Sequence, residues 1–171
     1  ALHLVARPEG LPKDGDFELR SSTLAAPGEG QFLVAVRYVS IDPAMRVWMT
    51  EQKSYWPPVP LGDVMRASAI GEVVASRHPR FAVGAWVSGM LGVQDGLLSD
   101  GKGLRAFDPK QLPDPAWALS IFGGTGLTAY FGLGEIGKPK AGETLVVSAA
   151  AGAVGSTVVQ ICKILGCRVI G

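Results

Sequence analysis

The segment LVVSAAAGAVGSTVVQICKILGCRVIG, Leu145 to Gly171, constrains the fold more than any other part of the chain. An apolar, β-rich run from Thr144 to Ala149 leads into the turn Ala149-x-x-Gly152-x-x-Gly155. Val154, Val158, Ile161, Cys162 and Leu165 then recur at helical spacing, Gly166 breaks the helix, and Cys167 to Ile170 resumes a strand. The expected unit is strand, turn, helix, strand. Small residues suit the turn because the unpaired N–H groups and dipole of a helix N-terminus favour an anion. Gly152 would let a pyrophosphate approach the backbone, and Gly155 would let helix and strand pack closely. Glycines also serve plain structural turns, so by itself the pattern leaves both readings open; the enclosing unit favours the phosphate.

From Leu2 to about Ser120 the pattern is different. Short strand candidates, His3 to Ala6, Phe17 to Ser21, Ile70 to Ser76 and Ala85 to Met90, alternate with turn signals such as PGEG and HPR, as in a β-barrel or sandwich. In GQFLVAVRYVSID one parity collects Phe32, Val34, Val36 and Tyr38, while Leu33 and Ala35 make the other apolar too. That predicts a central strand covered on both faces. The intervals Met45 to Gly62 and Gly92 to Pro115 are expected to be long, functional loops. After Ser120, GGTGLTAYFGLGEIG suggests a helix with a Thr near its cap. The change of pattern places a domain boundary near Ser120 to Gly123, giving segments 1–122 and 123–171.

Charge narrows the partners. Sixteen basic against fifteen acidic residues give a net charge of +1, and no basic cluster provides a footprint for nucleic acid or anionic lipid. No apolar run reaches the ~18 residues of a membrane span, and the N-terminal ALHLVARPEG lacks the apolar core of a secretory signal. The expectation is a cytoplasmic protein with a small-molecule partner, without nucleic-acid or membrane partners, and with homodimer formation as its possible assembly. Cys162 and Cys167 are the only cysteines, and both are expected to be buried small side chains rather than a structural disulfide. His3 and His78 stand apart and are expected at the surface or in turns.

One near-motif can be set aside. Gly132 to Lys138, GLGEIGK, satisfies G-x-x-x-x-G-K, but Pro139 stands where a magnesium-holding Ser or Thr is required, and the stretch follows a predicted helix instead of a strand. It reads as a helix C-terminus, with Gly137 the expected left-handed cap.

Three separated motifs, YVSIDPAMR, GGTGLTAYFGL and AAAGAVGS, occur in an order that resembles the zinc-independent medium-chain dehydrogenase/reductases. Within them the chain is similar to the NADPH-dependent alkenal and 15-oxoprostaglandin reductases (leukotriene B4 12-hydroxydehydrogenase-like). The resemblance implies a mixed β and α/β fold: a GroES-like β-barrel domain followed by the first β-α-β unit of a Rossmann domain. It implies NADPH as cofactor, with Gly152, Ala153 and Val154 at the pyrophosphate turn, Pro43 and Thr128 on the nicotinamide side, and Tyr55 in the substrate pocket. The implied reaction is reduction of the carbon–carbon double bond of an α,β-unsaturated ketone or aldehyde; quinone reduction and a non-catalytic binding role are the alternatives.

Zinc-dependent relatives carry ligands where this chain has Ser40-Ile41-Asp42-Pro43 and Gly62-Asp63-Val64. With two cysteines and two histidines, no metal site is expected. A short-chain dehydrogenase is disfavoured because none of Tyr38, Tyr55 and Tyr130 is followed four residues later by Lys. Gly124, Ala44, Ala85 and Gly96 depart from the family's usual residues and suggest a more open pocket. Family members are longer, and their donor tyrosine and cofactor-selecting residues would match positions at or beyond Gly171. No catalytic residue is therefore assigned, and residues 1–171 alone are expected to bind cofactor weakly.

Overall fold

The computed structural model describes residues 1–171. The chain forms two compact units, Ala1–Gln111 and Leu112–Gly171, which divide about ten residues upstream of the expected boundary.

The first unit is antiparallel. Strands β1 (Leu2–Leu4) and β2 (Phe17–Leu19) form a pair, while β3 (Phe32–Val39), β4 (Ser68–Ser76), β5 (Trp86–Met90), β6 (Gly96–Ser99) and β7 (Arg105–Phe107) form a sheet in the order β6-β3-β4-β5-β7. The strand expected at the centre is thus an inner one, and β4 holds the middle. Two of these strands, β6 and β7, lie inside the interval expected to be a loop. Each is too short for its alternation to register in sequence, and pairing with β3 and β5 makes them strands.

Phe32 and Val34 of β3 are buried, as their parity suggests, but Tyr38 is exposed. The pairing with β4 slips between Val36 and Tyr38, and such a bulge re-aims the residues beyond it. Leu33 and Ala35 are half-buried, so the second face of β3 is only partly covered. Gly71 of β4 permits the close approach of the two strands: a Cβ there would lie 2.5 Å from the Ala35 carbonyl oxygen. Gly96 has the same purpose between β6 and β3, where a Cβ would come within 3.0 Å of the Val34 carbonyl. Ala85 packs beside the core formed by Phe32, Val34, Ala69, Val73, Phe81, Val87 and Leu91.

A second core joins Leu4, Met45, Trp48, Met49, Val59, Met65 and Ala67. Part of the other expected loop therefore packs as apolar structure, through the short helix α1 (Ala44–Trp48) and Val59. Val39 touches both cores and links them. His3 Nδ1 lies 2.8 Å from the Gly62 carbonyl, and His78 packs against Phe32 and Phe81. Both histidines have structural surroundings.

The second unit contains α2 (Gly124–Phe131), β8 (Thr144–Val146), α3 (Ala153–Ile164) and β9 (Arg168–Ile170), with β8 and β9 parallel. Helix α3 is the crossover that a parallel pair requires. Cys162 and Cys167 are free and buried, and form a core with Leu133, Leu145, Val158, Ile161 and Val169. Burial, and secondarily Cys167, pushes the Cys162 thiol up from its ordinary value. The Thr125 hydroxyl donates to the Ser120 carbonyl and makes no cap bond; Gly123 occupies the N-cap of α2.

Helix α2 runs into a π-helical turn, Gly132–Gly137, closed by Lys138 N–H donating to Leu133 C=O at 2.6 Å. The extra residue of that turn moves the left-handed cap from the expected Gly137 to Lys138 (φ 44°, ψ 50°), immediately before Pro139. A side chain in this conformation carries strain of about 1 kcal/mol. Lys138→Gly should therefore raise stability by up to ~1 kcal/mol in urea denaturation, whereas Gly137→Ala should not reproduce that gain.

Candidate functional site: an uncharged turn at a helix N-terminus

Between β8 and α3 the chain runs Val147-Ser148-Ala149-Ala150-Ala151-Gly152, without an ionisable side chain. Ala149 adopts a left-handed conformation (φ 50°), and its carbonyl accepts from Gly152 N–H at 2.8 Å. Gly152 is the N-cap of α3, in extended conformation (φ −74°, ψ 169°), with no side-chain cap. The first helical hydrogen bond runs from Ser156 N–H to Gly152 C=O at 2.8 Å. The N–H groups of Ala153, Val154 and Gly155 consequently have no acceptor within the chain. Three convergent donors at the positive end of a helix dipole, with no carboxylate beside them, form a cradle for an anion.

Space matches the electrostatics. A Cβ on Gly155 would overlap the Ala149 carbonyl, so only glycine allows α3 to start this close to the turn. On Gly152 a Cβ would stand 3.1 Å from the same oxygen, tight but without overlap. Lys163 in the last turn of α3 complements the opposite end of the dipole.

Thr128, on α2, is exposed, and its hydroxyl donates to Gly124 C=O at 2.7 Å. Gly152, Ala153, Val154 and Thr128 all belong to the second unit. Helices α2 and α3 also border an apolar groove of about 390 Å³, lined by Ile121, Phe122, Leu127, Tyr130, Ile161 and Ile164. Thr157 and Gln160 at its edge donate to helix carbonyls, and the Tyr130 hydroxyl is the remaining polar side-chain group of the lining.

Pro43 and Tyr55 belong to the first unit. Pro43 is exposed and occupies the N-cap of α1; the neighbouring Asp42 accepts from the Ser40 hydroxyl at 2.9 Å. Tyr55 is 78% exposed and makes no hydrogen bond. Beside it, Trp56 lies under the Arg66 guanidinium. Sequence reasoning missed Arg66: a lone Arg in VMRAS carries no local signal, and only folding brings residues 56 and 66 together. The sequence marks Ala149 as the start of the turn but not its left-handed conformation, which alanine rarely adopts. No group of three His, Cys, Asp or Glu side chains is placed to hold a metal, and no helix is long and apolar enough to cross a membrane.

Residues 1–107 match the family described as the N-terminal domain of oxidoreductase. The chain belongs to this oxidoreductase family, within the medium-chain dehydrogenase/reductases. Among the relatives of this chain is the NADPH-dependent curcumin reductase of Escherichia coli (strain K12), 48% identical over 169 residues, which cover 98% of the chain and 48% of the relative. Prostaglandin reductase 1 of Rattus norvegicus is 43% identical over 166 residues, with 95% of the chain and 48% of the relative covered. The crystal structure of CurA from Vibrio vulnificus in complex with NADPH superimposes with a TM-score of 0.90 at 46% identity, covering 99% of this chain and 50% of that one. The chain thus spans about half the length of the relatives it matches.

Proposed function

We propose that this chain supplies the N-terminal part of an NADPH-dependent oxidoreductase that reduces the carbon–carbon double bond of α,β-unsaturated ketones or aldehydes. The observation that carries the reading is the set of acceptor-free N–H groups on Ala153, Val154 and Gly155 at the glycine turn. Curcumin reductase, prostaglandin reductase 1 and the NADPH complex of CurA support it by similarity. In this reading residues 1–122 are a GroES-like barrel domain and residues 123–171 begin a Rossmann domain. The match of residues 1–107 and the parallel β8-α3-β9 unit support that assignment.

Bound NADPH supplies the hydride for the β-carbon of the enone. The residues of the chain do the holding. The N–H groups of Ala153 and Val154 and the bare backbone of Gly152 receive the pyrophosphate, and the absence of a carboxylate in the turn keeps the site anion-selective. The family resemblance would give Thr128 of the second unit and Pro43 of the first unit a role toward the nicotinamide, and Tyr55 a role toward the substrate. No residue of the chain is assigned as donor to the developing enolate oxygen.

Turnover tests the proposal. NADPH oxidation is followed with a chain of the relatives' length carrying residues 1–171, using an enone, a benzoquinone and no acceptor. Enone-dependent oxidation is expected, with concomitant loss of the double bond in the product. Faster turnover of the quinone would favour a quinone reductase, and no oxidation with either would favour a binding protein of this fold. Residues 1–171 by themselves should show little affinity for NADPH.

A further inference from the structure

Glu51 to Pro58 joins α1 to Val59 and makes no backbone–backbone hydrogen bond. Its flanks are fixed: Thr50 N–H donates to Val47 C=O, and Val59 N–H donates to Trp48 C=O at 2.8 Å. Within residues 53–58 one hydrogen bond reaches the rest of the unit, from Arg66 Nη1 to the Pro57 carbonyl at 2.8 Å. The same guanidinium lies over two indoles, 5.1 Å from the Trp56 ring and 5.5 Å from the Trp48 ring. Trp48 is 3% exposed and belongs to the core around α1, whereas Trp56 is 41% exposed. Arg66 has no carboxylate partner. Its interactions are with the two rings and the Pro57 carbonyl. One side chain therefore clasps an otherwise untied segment to a buried anchor, and Tyr55 stands on that segment next to the clasped Trp56.

We infer that Arg66 is a positioning residue for substrate selection: it fixes the Trp56–Pro57 peptide against Trp48 and thereby sets where Tyr55 stands. The inference rests on the reading that Tyr55 meets the substrate. Arginine suits this role because its planar cation stacks on indole while its N–H fork donates in the ring plane; lysine retains the charge but not the planar stack. The Arg66 clasp acts on substrate binding, not on hydride transfer.

The test uses a chain of the relatives' length, saturated with NADPH, and the variants Arg66→Met, Arg66→Lys and Tyr55→Ala. Methionine retains much of the apolar stem and removes the fork and charge. Arg66→Met is expected to raise the enone KM roughly tenfold with kcat within about twofold, and Arg66→Lys to fall between it and the parent. An independent readout is tryptic cleavage after the exposed Lys53, followed by mass spectrometry under native conditions. Cleavage there should accelerate several-fold in Arg66→Met while the thermal midpoint of the whole protein changes little, a local release. An unchanged rate of cleavage after Lys53 would overturn the clasp. Faster cleavage with unchanged KM would overturn the role in substrate selection. If Tyr55→Ala raises KM in that case, the Tyr55 reading survives and the Arg66 inference alone falls; if it leaves KM unchanged, the Tyr55 reading fails as well.

Discussion

A methyl group placed on Gly155 will destabilise the second unit by about 1–3 kcal/mol, because it must displace the Ala149 carbonyl or push α3 away from its turn. Neither adjustment is easy. Ala149 already holds a left-handed conformation, and its carbonyl is fixed by Gly152 N–H. Moving α3 would also loosen Val158, Ile161 and Cys162 from Leu145 and Val169. Gly152→Ala separates binding from stability. Its Cβ would sit 3.1 Å from Ala149 oxygen at a φ of −74°, which any residue can adopt, so the fold should change by under about 1 kcal/mol. The added methyl crowds the backbone that an anion must approach, and NADPH affinity should fall roughly tenfold or more. Urea denaturation and NADPH titration of both variants, in a chain of the relatives' length, check the pair. Equal affinity of Gly152→Ala and the parent would reduce the turn to a structural one.

Phe32→Ala should cost about 3–5 kcal/mol. Phe32 is fully buried, stacks on Phe81 at 4.6 Å between ring centroids and meets His78 edge-on at 5.5 Å. Tyr38 lies on the same strand and in the same parity, yet Tyr38→Ala should cost under about 1 kcal/mol because the bulge has turned it to solvent. Urea midpoints of the two variants measure the contrast. Equal losses would mean that the parity of β3 continues through residue 38 and that the bulge is absent in solution.

The two glycines of the turn show which parts of the site were legible. Gly152 and Gly155 could be recognised because a phosphate turn and tight helix–strand packing both act over a few adjacent residues. Spacing nominates both, and the geometry supports the packing role of Gly155. Thr128 and Pro43 could be nominated only through family resemblance, since nothing in their own neighbourhoods distinguishes them. The Arg66 clasp left no trace, because its stacking partners are Trp48 and Trp56 and its acceptor is Pro57.

Local chemistry written in the sequence determined the change from β-rich to α/β organisation, the strand-turn-helix-strand unit and the end of α2 before Pro139. Each depends on periodicity, a breaker or a missing N–H. Tertiary structure decided the rest. Pairing made strands of 96–99 and 105–107, the bulge withdrew Tyr38 from the core, and the π turn moved the left-handed cap from Gly137 to Lys138. These depend on the register and spacing of groups brought together by the fold, and a linear pattern does not encode that register.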